Sequence, residues 1–253
     1  MKQQMVTECL FCKLNNRGKY GKPTKRNDTM NTLSLAEKFI IPFLVLILLY
    51  LKPTRRCLAT LDTFFHESFH ALLSLLLGNK VKEIQFKESI EGCCKSLSKS
   101  KFATTLTALA GYVGCSFFPL AIIYAIEHRN IEISFLIFAV FALVILILYI
   151  RNTFALVWTM AFAAINIACY MIPFSLHVKA DILYIFLCIV VIENTMSLFQ
   201  IAQIALTRPK NSGDCTLLHK TTHLPAFLWA VILNGINILA IYLIISRVFF
   251  AQI

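Results

Sequence analysis

The chain has 253 residues, of which 58% are hydrophobic and only 15% charged, with a mean hydropathy of +0.72. A soluble domain carries about a quarter charged residues, whereas the apolar residues here come in blocks of about 20, the length a bilayer core demands, so a single soluble domain is excluded. The net charge of +11 lies in an N-terminal tail and in loops between apolar blocks with little aromatic interleaving, which fits anionic lipid headgroups and not nucleic acid.

Residues 1–34 are polar and basic and read as a flexible tail ahead of a membrane-embedded domain, 35–253. No early apolar core precedes a small-residue cleavage site, so no cleavable leader is expected. Cys9 and Cys12 have the spacing of half a zinc knuckle, but no second pair stands nearby, and they read as free thiols. The nine cysteines are odd in number and several sit in apolar blocks, which argues against a disulfide framework.

The first span covers roughly 36–51 and ends at Lys52-Pro53. The second, roughly 58–77, is short and stops at Gly78-Asn79, as a helix C-terminus should. Residues 79–100 are polar, and the alternation Ile84-Gln85-Phe86-Lys87 points to a short strand. Further spans follow at roughly 102–126, 132–150, 153–172, 181–206 and 225–250, with Pro173 closing the fifth. The fold class is an all-α polytopic membrane protein of about seven transmembrane helices with a strand-like segment near 81–87. If all seven alternate in direction, eighteen Lys and Arg fall on the tail's side and six on the other, which places the N-terminus in the cytosol. The sequon Asn27-Asp28-Thr29 is then expected to stay unglycosylated.

The second span carries His66-Glu67-Ser68-Phe69-His70. Two histidines four apart share one face of a helix, one turn apart, and can grip a single zinc ion. Glu67, about 100° round the helix, can reach the water that zinc activates and serve as general base. Three ionisable residues in an apolar helix cost several kcal/mol of insertion and are rarely accidental. Asp62, one turn earlier, adds a fourth on the same face.

The motif on its short apolar helix, the following Leu77-Gly78-Asn79, and Ala108-Leu109-Ala110-Gly111-Tyr112-Val113-Gly114 leading into the next span together resemble the site-2-protease type of intramembrane zinc metalloprotease, in its small B-like branch. Arg151-Asn152-Thr153-Phe154 and the stretch from Gly213-Asp214-Cys215 to His223-Leu224-Pro225 are similar to the same branch. The resemblance covers about 55–245. It implies a zinc cofactor held by His66 and His70, Glu67 as base, and hydrolysis of peptide bonds in transmembrane protein substrates within or near the bilayer. It also implies that the segment near 81–87 pairs with an unwound substrate by strand addition.

A catalytic zinc needs a third protein ligand, and the Asp-Gly pair that supplies it in site-2-type enzymes is absent. Of the four aspartates, Asp28 is in the tail, Asp62 suits a supporting role behind the ligands, and Asp181 reads as the N-cap of the sixth span. Asp214 is the first choice, although Asn211-Ser212-Gly213-Asp214 is also strong turn chemistry. His219, His223 and Glu193 are the other candidates. Asn194 could hold a substrate carbonyl or an oxyanion, or it could be a packing hydrogen-bond group. Phe69 is bulky where the family often has a small residue, and is expected to fill the bundle. The missing Asp-Gly pair leaves a second reading open, a catalytically silent relative that binds transmembrane helices as a scaffold. A transporter is disfavoured by the lack of internal repeat symmetry.

Overall fold

The computed structural model describes residues 33–87 and 92–250. Cys9, Cys12 and the Asn27 sequon lie outside the described residues. The seven cysteines within them are all free.

Every expected span is a helix. Helix α1 is Leu35–Tyr50, α2 is Lys52–Leu58 and α3 is Thr60–Leu76. A hairpin follows, β1 at Lys80–Phe86 and β2 at Gly92–Leu97. Then come α4 (Lys101–Glu127), α5 (Ile131–Leu148), α6 (Thr153–Met171), α7 (Leu176–Thr207), the short α8 (Asp214–Thr222) and α9 (Ala226–Ile245). Five of these, α4 to α7 and α9, are long and apolar enough to cross a membrane. With 16 and 17 residues, α1 and α3 are about 24 and 26 Å long and are not among those five.

Local chemistry sets the boundaries. Ser34 and Glu37 form a reciprocal capping box at the start of α1. Ser100 caps α4 by accepting from the Ala103 amide at 3.1 Å, and Ser175 caps α7 by accepting from Val178 at 3.3 Å. The α7 start is therefore earlier than the sequence pattern indicates. Asp181 is not its cap but lies inside the helix, 3.4 Å from His177 one turn away. Gly78 ends α3 with φ +71°, a conformation that favours glycine.

The two short helices do not form a hairpin of crossings. Near its start α1 meets the early part of α7 and the end of the chain's last helix: Tyr184 donates to the Lys38 carbonyl at 3.2 Å, and Lys38 Nζ donates to the Val248 carbonyl at 2.9 Å. Seventeen residues later, Arg55 on α2 pairs with Glu193, further along α7, at 2.8 Å. Beyond that point α3 continues in the same direction, because His66 shares a cavity with Ser197 and Ile201. Thus α1 and α3 run parallel to successive halves of α7, whose 32 residues extend about 48 Å. Together they make one broken crossing, and the described residues traverse the bundle six times. The side of the bundle holding the end of α3, the hairpin and α8 is therefore opposite the side holding the start of α1 and the end of α9. The tail and the basic site-side loops no longer add on one side, so the Lys and Arg count does not orient the chain.

The hairpin folds back down along α3. Its strands are antiparallel, pairing Lys80 with Leu97 and Phe86 with Gly92, with an irregularity between Val81 and Glu83. The outer edge of β1 is also taken: the Ile84 amide donates to the Tyr149 carbonyl at 2.8 Å. Asn152 clamps Phe86 from both sides, accepting from its amide at 3.3 Å and donating to its carbonyl at 2.6 Å. The segment near 81–87 is thus a strand with both edges occupied. The outer edge of β2 has no backbone partner among the described residues.

Aromatic side chains fix the height of α3. Phe64 packs against Phe65, Phe86, Phe141, Trp158 and Phe162 with ring centroids 5.2–6.2 Å apart, and Phe65 meets Phe118 at 4.2 Å. Rings from β1, α4, α5 and α6 therefore grip the two residues just before His66.

Reporters fused to the two ends of the chain are expected on one face of the membrane, and a reporter inserted between β1 and β2 on the other. Protease protection of the three fusions checks this, and an N-terminal reporter on the hairpin's face would overturn the broken crossing.

Candidate metal centre

Three side chains converge on the site side of the bundle. His66 and His70 come from successive turns of α3, and Asp214 is the first residue of α8. The two imidazole Nε2 atoms are 2.9 Å apart, and each lies 3.2 Å from the same oxygen, Asp214 Oδ2. The His70 ring is held by its other nitrogen, Nδ1, which donates to the Thr107 carbonyl at 2.6 Å. That bond puts the ring proton on Nδ1 and leaves Nε2 with a free lone pair, the arrangement of a metal-ligating histidine. Tetrahedral zinc with nitrogen and oxygen ligands at about 2.0–2.2 Å sets neighbouring ligand atoms about 3.3 Å apart. The observed separations fit that donor set.

Asp214 reaches the histidines because the chain turns sharply after α7. Gly213, with φ +53°, adopts the left-handed region that glycine tolerates and starts α8 with Asp214 facing α3. The turn reading of residues 211–214 and the ligand reading are therefore compatible, since the turn delivers the carboxylate.

Two glycines of α4 let that helix press against α3. A Cβ on Gly111 would stand 2.5 Å from His66 Cε1 and 2.6 Å from the Nε2 atoms of both histidines. One turn on, a Cβ on Gly114 would run into the Phe69 ring. Phe69 fills the bundle as expected, against Gly114 and Phe118. The next residue, Tyr112, sets its ring edge-on to His66 with centroids 4.4 Å apart. Gly92, at the start of β2, has no side chain because Glu67 occupies that space.

Cavities open on both sides of this centre. One, of ≈ 390 Å³, runs past Asp62, His66, Glu67 and Tyr112 to residues 211–214. The other, of ≈ 530 Å³, follows β2 along Cys93, Cys94, Lys95 and Ser96. Glu67, Gly92 and Asp214 line both.

The remaining candidates lie elsewhere. Glu193 is buried and bound to Arg55. Asn194 is fully buried, donating to Ser116 Oγ at 3.1 Å and Asn237 Oδ1 at 3.0 Å, which ties α4, α7 and α9 together as packing glue and keeps it off both cavity walls. His219 faces the Leu224 carbonyl at 2.9 Å, and His223 ends α8 with φ +63°. Among the described residues, only His66, His70 and Asp214 form a potential metal-ligating group on this side of the bundle. Sequence reasoning missed the Thr107 carbonyl, which no side-chain pattern reveals. It also missed the role of Gly92, although a glycine opening a strand is a signal of close approach.

No curated protein and no solved structure matches the chain. A family profile described as Peptidase M50B-like matches residues 39–244, which takes in α3, the hairpin, the Ala-Gly-Tyr segment and Asp214. The chain belongs to the Peptidase M50B-like family, a branch of the site-2-protease type.

Proposed function

We propose that this protein is an intramembrane zinc metalloendopeptidase that hydrolyses peptide bonds of membrane-spanning protein substrates. The observation that carries the reading is the convergence of His66 Nε2, His70 Nε2 and Asp214 Oδ2 within 2.9–3.2 Å, with Glu67 from the same helix turn on the wall of both flanking cavities. His66, His70 and Asp214 would hold the ion. When bound, zinc supplies the Lewis acid that makes water a nucleophile near neutral pH. Glu67 takes the proton from that water as it adds to the scissile carbonyl, and passes it to the leaving amine nitrogen.

The substrate must be extended, because a helix turns its carbonyls inward along its own axis. Both edges of β1 are used, so β2 offers the free edge, and its residues 93–96 line the larger cavity that leads to Glu67 and His70. In this reading β1 supports β2, and an added strand runs beside β2 towards the metal centre. The centre stands near the level of the turn between α5 and α6, since β1 bonds to Tyr149 and Asn152 and Phe86 packs on Phe64. With 18 residues, α5 is about as long as a bilayer core is thick, and that turn marks one membrane edge. The bonds cut are therefore near the face that carries the hairpin.

Three outcomes are expected of full-length protein in lipid. Purified protein should carry about one zinc per chain, and His66→Ala, His70→Ala and Asp214→Ala should each lose most of it, measured by metal analysis of folded protein. Retention of full zinc by Asp214→Ala would remove it as third ligand. Glu67→Gln should keep the zinc and slow cleavage of a co-reconstituted transmembrane substrate by about 10²- to 10⁴-fold. Gly111→Ala should impair zinc binding without unfolding the bundle, because its methyl group competes with the ligand atoms for space.

A further inference from the structure

The polar cavity beside His66 holds a hydroxyl that the fold does not use. Tyr112 lines this cavity with His66, Glu67 and Asp214. Its ring is held firmly: the residue is 7% exposed and belongs to the buried cluster of Leu198, Cys215 and Leu218. The ring stands edge-on to the His66 imidazole, with centroids 4.4 Å apart. A buried tyrosine hydroxyl usually finds a hydrogen-bond partner, and this one has none among the described residues. It is also not one of the unpartnered polar atoms that are sealed from water. The hydroxyl therefore opens into the cavity that its residue lines. A Cβ on Gly111 would stand 2.6 Å from the Nε2 atoms of both histidines, so the α4 backbone passes close to the ligand atoms immediately before Tyr112.

Peptide hydrolysis needs a donor in such a place. As water adds to a scissile carbonyl, the carbonyl oxygen becomes an anion, and a donor already fixed beside it stabilises the transition state without reorganising. Asn194 cannot serve, because it is bound to Ser116 and Asn237 and stands off both cavity walls. Of the other hydroxyls on the Tyr112 wall, Thr63 donates to the Ala59 carbonyl at 3.4 Å and Ser212 to the Pro209 carbonyl at 3.1 Å. Ser197 of α7 remains, but it is Tyr112 that rests on His66.

We infer that Tyr112 is a catalytic residue of the proposed hydrolysis, its hydroxyl donating a hydrogen bond to the oxygen of the scissile carbonyl as that oxygen becomes anionic. The inference rests on the proteolytic reading. The Tyr112 proton stays on Tyr112 throughout. The water oxygen bonds to the carbonyl carbon, and Glu67 takes one water proton. The carbonyl double bond then re-forms as the C–N bond breaks, and the proton on Glu67 passes to the leaving nitrogen. The second water proton stays on the new carboxyl group. A peptide brought in along β2 enters from one cavity, and Tyr112 meets its carbonyl oxygen from the other.

Tyr112→Phe removes the hydroxyl and keeps the ring against His66. Full-length protein in nanodiscs is assayed with a transmembrane peptide substrate and with a phosphinic peptide of the same sequence, whose tetrahedral phosphorus and anionic oxygens mimic the water adduct. The variant should keep about one zinc per chain and its thermal stability. Its kcat should fall about 10²- to 10³-fold, with KM changed by no more than about twofold. The phosphinic peptide should bind more weakly by the same factor, while uncleaved substrate binds Glu67→Gln and Glu67→Gln/Tyr112→Phe proteins equally. A residue that only props His66 would not separate the two ligands in this way. An unchanged kcat overturns the inference and leaves the proteolytic reading in place. Loss of zinc from Tyr112→Phe, or equal weakening of substrate and phosphinic peptide, makes Tyr112 a packing or binding group and overturns it too. So does a loss of kcat on Ser197→Ala that Tyr112→Phe does not show. If the wild-type protein neither cleaves the substrate nor binds the phosphinic peptide, the proteolytic reading fails and the inference falls with it.

Discussion

The close contact between α3 and α4 is the constraint on which the candidate metal centre depends. Gly111 and Gly114 lie one turn apart on the face of α4 that touches α3, and the space their missing side chains leave is taken by the two imidazoles and by Phe69. Small residues at helix contacts are the usual means of close packing in a membrane, where apolar surface alone gives helices no reason to associate. Here the close approach also brings the Thr107 carbonyl to His70 Nδ1 and sets the tautomer that exposes Nε2. One helix contact therefore fixes the position and the orientation of a candidate ligand.

The other face of α3 is held differently. Phe64 and Phe65 precede His66 directly and are gripped by rings from β1, α4, α5 and α6. Ring packing of this kind depends on shape and leaves few alternative arrangements, so it holds the motif's height in the bundle. The hairpin depends on the same grip, because Phe86 joins that cluster while Asn152 bonds its backbone. With β1 fixed on both edges, β2 stands over Glu67 with no backbone partner on its outer edge among the described residues. Shape complementarity on one side of α3 and close backbone approach on the other leave the cavities as the openings to the metal centre.

Much of this is legible in the sequence, and the parts that are not have physical causes. His66, Glu67 and His70 are readable because their spacing matches the helix repeat, and the Phe69 departure is readable as bulk that needs a gap. Asp214 is readable only as the best of several candidates, since the chain distance of 148 residues to His66 carries no geometric information. The sequence leaves Asn194 open between packing and substrate contact, and only the tertiary arrangement that brings Ser116 and Asn237 to it separates the two. Strand propensity near 81–87 is clear, but which strand keeps a free edge depends on Tyr149 and Asn152, residues far off in the chain. The direction of α1 relative to α3 is also invisible to hydropathy, which counts apolar lengths and not their order along a neighbouring helix.

That broken crossing explains why so many ionisable groups lie inside an apolar bundle. A helix that begins within a membrane leaves its first amides and the preceding carbonyls to be satisfied locally. At this break Thr60 donates to the Arg56 carbonyl at 2.6 Å and Trp158 to the Cys57 carbonyl at 2.9 Å, while Arg55 pairs with Glu193 at 2.8 Å. The residues around the break are thus already in a polar, hydrogen-bonded setting before α3 reaches its motif. Asp62 stands in its first turn, between that polar break and the histidines. A continuous apolar helix would make Asp62, His66, Glu67 and His70 four separate insertion penalties. A helix that starts at a polar break carries them on the short stretch where polar partners and open cavities are present.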